Sequence, residues 1–265
     1  MLLRVSSRWQ PRDLAPRKMN TQTDTFAGTA LTTTCGGLLD RYFYFFMSLL
    51  IALVVVYGFS HTIDESLIHP VIRRPFILYI HAAVFSTWLV FFIFQSALIR
   101  THHVLLHRLA GWFGVALGIA IPVLGVSTAI TMARFDTVRL YETDAAAFLI
   151  VSFFDITAFT IPFALAIYFR RNPEYHRRLM LIATCALTAA AFGRFPPQIL
   201  PSEAFYAGVD FLILLGVARD LILNRRVHRV YLYALPTLIA CQTVVTYTYI
   251  HAEPYWTRIA NAILR

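Results

Sequence analysis

The sequence is poor in charge. Only 14% of its 265 residues are Asp, Glu, Lys or Arg, where a water-soluble domain carries about a quarter. Lysine is nearly missing: of 23 basic residues, all but Lys18 are Arg. Cysteine is scarce as well. Cys35, Cys185 and Cys241 make no CxxC pair and no disulfide framework, so they fix no compartment. Cys185 and Cys241 fall inside apolar stretches and read as buried thiols. There is no Walker loop, GxSxG, HExxH or dinucleotide fingerprint, which removes the chemistries those motifs serve. Period-two alternation of the β-barrel kind is absent, as is an internal repeat of the inverted-repeat transporter kind. No apolar stretch precedes residue 42, so a cleaved secretory signal is not expected.

What the chain has in quantity is apolar length. Hydrophobic residues make up 58% of it, and the mean hydropathy is +0.63. They gather into runs: Tyr42–Ser60 with 19 residues and no charge, Phe76–Ile99 and Leu109–Met132 with 24 each, and Ala145–Phe169 with 25, broken only by Asp155. A fifth, about His176–Phe195, is rich in Ala and Thr and weaker. Ala204–Leu223 contains Asp210, Arg219 and Asp220, and Val230–Ile250 closes the set. About 20 residues of helix cross the ~30 Å hydrocarbon layer, and lipid cannot satisfy open strand edges. The expectation is an all-α, polytopic transmembrane bundle of about seven spans over 41–252. A polar, disordered segment over 1–40 precedes it and a short outer tail over 253–265 follows.

The formal net charge of +9 does not point to nucleic acid, because the basic residues stand at the ends of apolar runs, where they set membrane orientation. With the N-terminus inside, 16 of the 23 lie in inner segments and 7 in outer ones; starting at Met19 leaves 11 against 7. This favours N-terminus in and C-terminus out for an odd number of spans. Arg4, Arg8, Arg12, Arg17 and Lys18 against the single acid Asp13 give the first residues either a transit-like character or that of sequence upstream of a true start at Met19. Residues 1–18 are expected to be dispensable for insertion.

Small residues mark close packing. Gly114 and Gly118 form a GxxxG step in the third run, and Ala183, Thr184, Ala186, Ala190 and Ala191 place the fifth inside the bundle. Pro122, Pro162 and Pro236 each fall within a span, where proline kinks a helix and frees a carbonyl.

Ionisable groups at membrane depth are costly and are functional candidates. His81, Asp155, Arg194 and Asp210 fall in the outer half under this topology and on different spans, and they are read as lining one pocket open to the outer face. The competing reading is a structural ion pair of Arg194 with Asp210 or Asp155. Trp88 and Gln95 share a helix face with His81 at ~100° per residue, so the stripe faces one partner or cavity, with Gln242 and Thr246 as candidate partners for the histidine. A haem would need two facing histidines; His61 and His251, at outer span ends, are the candidates to meet His81. On the inner side, Arg100, His102, His103, His107 and Arg108, then His176 with Arg177 and Arg178, then His228 with Arg229, pair His with Arg. His103 and His107, four apart, would suit a metal on a helix; the alternative is contact with anionic lipid headgroups.

The stretches IHAAVFSTWLVFFIFQSALIRTHHVLLHRLAGWFGVALG, RRNPEYHRRLMLIATCALTAAAFGRFP and GVARDLILNRRVHRVYLY resemble a widespread family of uncharacterised bacterial multi-pass membrane proteins over roughly residues 40–250. The carrying pattern is His81 opening one span and the step Leu106-His107-Arg108-Leu109-Ala110-Gly111 opening the next. The resemblance implies a bacterial inner membrane and brings no activity. The placement of His near helix ends is also faintly similar to cytochrome b561-type bundles. Three functions remain open: binding or moving a small ligand through an outer-side pocket, haem or redox chemistry at His81, and a structural or assembly role.

Overall fold

The computed structural model describes residues 27–142, 144–251 and 254–265. The readings that fall on 1–26, the transit-like segment and the start at Met19, lie outside the described residues. Among the described residues all the regular structure is helical, with no strand. The order is α1 (Ala27–Ser60), α2 (Phe76–Arg100), α3 (Val104–Phe135), α4 (Ala145–Tyr168), α5 (Pro173–Ala186), α6 (Ala189–Phe192), α7 (Phe205–Asn224), α8 (Arg229–Ile250) and α9 (Pro254–Leu264). Five helical segments are long and apolar enough to cross a membrane: Asp40–Ser60, Phe76–Arg100, Val104–Leu140, Ala145–Tyr168 and Arg229–Ile250.

The two remaining runs form helices of another kind. The fifth divides at Leu187 and Thr188 into α5 and the four-residue α6. The Thr188 hydroxyl donates to the Cys185 carbonyl at 2.6 Å, a local bond of the sort that competes with the helical ladder. α5 touches α1, α4, α7 and α8, and Leu181, Ile182, Ala183 and Cys185 have no exposed surface. A helix enclosed by other helices meets little lipid, so Ala and Thr suffice where lipid-facing helices need Leu, Ile and Phe. α7 keeps its length of 20 residues but holds Asp210, Arg219 and Asp220.

The helices close on themselves: α1 meets α2, α2 meets α3, α3 meets α4, α4 meets α5, and α5 returns to α1, with α7 and α8 packed outside α5. Trp88, Leu117, Ile121, Phe159, Phe163 and Ala183 form a buried cluster where α2, α3, α4 and α5 meet, and a larger one joins α1, α5, α7 and α8 through residues such as Ile51, Ile182, Ile213 and Tyr231. Gly114 and Gly118 make room for rings rather than for a helix backbone: a Cβ on the first would strike Phe91, and on the second Phe163. True backbone contact occurs at Gly58 of α1, where a Cβ would lie 2.3 Å from the Ala191 carbonyl oxygen of α6.

Two segments and one cysteine differ from the sequence reading. Residues 27–40, read as polar and disordered, are the first turns of the 34-residue α1. Residues 254–264, read as a tail, form α9, which is anchored through fully buried Ala260, the Trp256 Nε1 bond to the Ala147 carbonyl at 3.0 Å, and Arg134 donating to the Ile263 and Leu264 carbonyls. Cys241, read as buried, is exposed on α8, while Cys185 is enclosed.

Candidate functional site

The four groups read as one outer pocket are held in two sets. In the first, α4 carries Asp155 to the start of α7, where the Tyr206 hydroxyl donates to its Oδ1 at 2.9 Å. One turn further along α7, Asp210 accepts from Gln242 Nε2 of α8 at 3.1 Å. α7 and α8 stand apart above this bond and leave a groove of about 310 Å³, lined by Glu203, Ala204, Tyr206, Ala207, Asp210, Ile239, Gln242, Thr243 and Thr246. Its wall carries two carboxylates and no Arg, Lys or His.

The second set is His81 and Arg194. The His81 ring stacks on Phe85 at 4.0 Å, its Nδ1 is enclosed without a partner, and Arg194 is near enough to act on it electrostatically. Arg194 donates to Thr62 at 3.2 Å and lies over the Phe59 ring at 4.5 Å. Among the described residues it makes no ion pair, so it is not joined to Asp155 or Asp210 as the structural reading required. Among the described residues no hydrogen bond connects the two sets. Gln242, considered as a partner for His81, bonds Asp210 instead. His61 stands edge-on to Tyr57 and His251 stacks on Tyr247, with neither in ring contact with His81.

The stripe along α2 is polar and largely enclosed. Trp88 is 2% exposed and packs edge-on against Phe159 and Phe163. Gln95 is 9% exposed. The indole Nε1 of Trp88 and both amide atoms of Gln95 have no protein partner.

At the Arg100 end the basic residues are sorted in a way the loop-by-loop reading did not foresee. Arg178 and Arg219 do not face headgroups; both side chains are 1% exposed. Arg178 donates to both Asp220 oxygens and to Glu174, while Arg219 bonds Asp220 and Asp40. Arg177 joins Glu174 at 2.7 Å and lies over Tyr44, which also receives Arg219. Three arginines and three carboxylates thus tie α1, α5 and α7 together with no net charge. The sequence signal was present: an Arg-Asp pair inside an apolar run must find partners within the protein. Glu174 lies outside the apolar run. Burial raises its pKa, but Arg178 and Arg177 overcome that and hold it below the ordinary value.

The histidines read as lying on the inner side part company as well. His102, with φ of 63°, and His103 are exposed in the turn before α3. His103 is bonded to Thr101 and does not pair with His107. His228 caps α8 by accepting from the Val230 amide, and its ring meets Tyr175. Burial and Arg178 push its pKa down. Arg108 is exposed. His107 faces His176 instead, with ring centroids 6.4 Å apart. Among the described residues no three His, Cys, Asp or Glu side chains gather as a metal-binding group.

No family model, no curated protein and no solved structure matches the chain.

Proposed function

We propose that this is a seven-span membrane protein, N-terminus inside and C-terminus outside, that binds and moves a small cationic molecule through the groove between α7 and α8. Two spans beyond the five apolar ones are α7 and the run His176–Phe195, which α5 and α6 carry and whose 20 residues match the length the ~30 Å hydrocarbon layer asks for. The excess of Arg at the Arg100 end supports a cytoplasmic position for that end, and the family resemblance favours a bacterial inner membrane.

One observation carries the functional reading. Asp210 lines an accessible groove, and its bonding partner is a neutral amide, Gln242, at 3.1 Å. A carboxylate at membrane depth needs a cation or a proton. At the opposite end the buried carboxylate, Asp220, is paired with Arg178 and Arg219; Asp210 and the neighbouring Asp155 have only an amide and a phenol. Glu203 adds a second acid at the mouth. A ligand that carries positive charge complements this lining, and the volume suits a molecule of roughly the size of a substituted amine.

Equilibrium binding of radiolabelled benzylamine and tetraethylammonium to the purified protein in lipid nanodiscs tests this. Saturable binding of either, lost in Asp210→Asn and weakened in Gln242→Ala, is expected. Absence of saturable binding, or full retention in Asp210→Asn, overturns the reading.

A further inference from the structure

The facing histidines at the Arg100 end form a second site, independent of the groove. His176 opens α5, and its Nδ1 lies 2.9 Å from the Ala166 carbonyl oxygen of α4. A carbonyl only accepts, so Nδ1 carries the hydrogen and Nε2 keeps its lone pair. This is the orientation in which a protein fixes a metal-binding imidazole, with the far ring nitrogen tied to a backbone oxygen. The His107 ring stands opposite, its centroid 6.4 Å away and its plane turned by 81°. Its Nδ1 is enclosed and has no protein partner.

Gln95 supplies the independent observation. It is nine-tenths buried, and neither Oε1 nor Nε2 has a protein partner. Leaving such buried groups without a partner is unfavourable, so a ligand or ordered molecule that satisfies them is stabilised there. Seven residues before it, Trp88 lies on Phe163. A seven-residue step returns to within about 20° of the same helix face, so Gln95 lies on the side of α2 that carries Trp88, two turns further along the helix. The His107 ring donates to the backbone carbonyl of Gln95, so one of its nitrogens is tied to a backbone oxygen as in His176.

The separation of the rings selects the kind of occupant. With a nitrogen–metal bond of about 2.0 Å, two imidazoles on opposite sides of one ion have centroids about 6 Å apart, and at a tetrahedral angle about 5 Å apart. The observed 6.4 Å fits opposed ligands. Imidazole suits copper, zinc, iron and nickel, whereas oxygen-preferring magnesium and calcium would find a single amide oxygen. Two opposed nitrogens with one weak oxygen is the low-coordinate arrangement of monovalent copper. We propose that His107 and His176 hold one copper(I) ion between α3 and α5, with Gln95 Oε1 beside it. The ion would join the start of α5 to the start of α3, two helices that otherwise make few contacts.

The test is a titration of the full chain, purified without a polyhistidine tag, with copper(I) against the chromophoric chelator bicinchoninate. One equivalent bound per chain is expected. His107→Gln and His176→Gln should each lower the affinity by more than 100-fold, and Gln95→Leu by about 10-fold, the usual effect of a supporting group. His103→Gln should leave binding unchanged. X-ray absorption on the unaltered protein, which does not depend on any variant folding, should report two short copper–nitrogen bonds. No stoichiometric copper, binding that survives both histidine substitutions, or a zinc ion bound where copper is refused would overturn the proposal. Retention of the unaltered melting temperature in Gln95→Leu, without copper binding in the parent, would assign the site to a bridging water instead.

Discussion

Arg178 and Asp220 meet in a two-pronged pair, Nε to Oδ2 at 2.8 Å and a terminal nitrogen to Oδ1 at 2.6 Å, with side chains 1% and 0% exposed. The pair joins α5 to α7 across 42 residues of sequence. Removing one partner strands the other as a buried charge, a loss of about 3–5 kcal/mol. Asp220→Ala and Arg178→Ala should therefore each lower the melting temperature in detergent steeply. The double variant Arg178→Met with Asp220→Leu should recover much of it, because a matched apolar pair leaves no stranded charge at that contact. Thermal unfolding of the three proteins decides this; equal loss in single and double variants would show that the wider arginine network, rather than the pair, fixes the helices.

Glu174 predicts a pH dependence. Its folded-state pKa is held below the ordinary value by Arg178 and Arg177 against the opposing effect of burial. The stability it contributes is fully present above the ordinary carboxylate range and is lost as pH falls through the depressed value. Melting temperature should fall more steeply between about pH 5 and pH 3 in the unaltered protein than in Glu174→Gln. Parallel curves would remove Glu174 from the clamp's energetics.

Two glycines of α1 should behave oppositely. At Gly58 a Cβ would sit 2.3 Å from the backbone oxygen of Ala191, which has no flexible side chain to yield; at Gly37 nothing lies within 4 Å. Gly58→Ala should destabilise by about 1–3 kcal/mol through overpacking. Gly37→Ala should be neutral or stabilising by up to about 1 kcal/mol, since alanine is the better helix former. Chemical or thermal unfolding of both proteins provides the comparison.

The proposed topology has its own test. Reporter fusions after Arg139 and at the C-terminus should both register outside. A cytoplasmic C-terminus would mean that the divided α5–α6 pair does not cross, and would reverse the sidedness of everything after it.

The sequence alone determined the class. Seven apolar runs, scarce charge and the absence of strand alternation specify helices in lipid, because every backbone group must be satisfied within its own segment. The run starting at Phe76 and the one starting at Ala145 appear with nearly the expected bounds. The α2 stripe was legible too, since helical period alone puts His81, Trp88 and Gln95 on one face. Partnership was not legible. Depth placed His81, Asp155, Arg194 and Asp210 at similar height, yet Asp155 found Tyr206, Asp210 found Gln242, and Arg194 found Thr62. His107, which spacing would match with His103, faces His176 from 69 positions further along. Arg178 and Arg219, counted with the loop charges, turn inward to Asp220. Periodicity fixes which residues share a face and hydropathy fixes how deep they lie. The rotation of each helix about its axis, and the neighbour it meets, follow only from how all the helices close-pack at once; tertiary structure alone decided them.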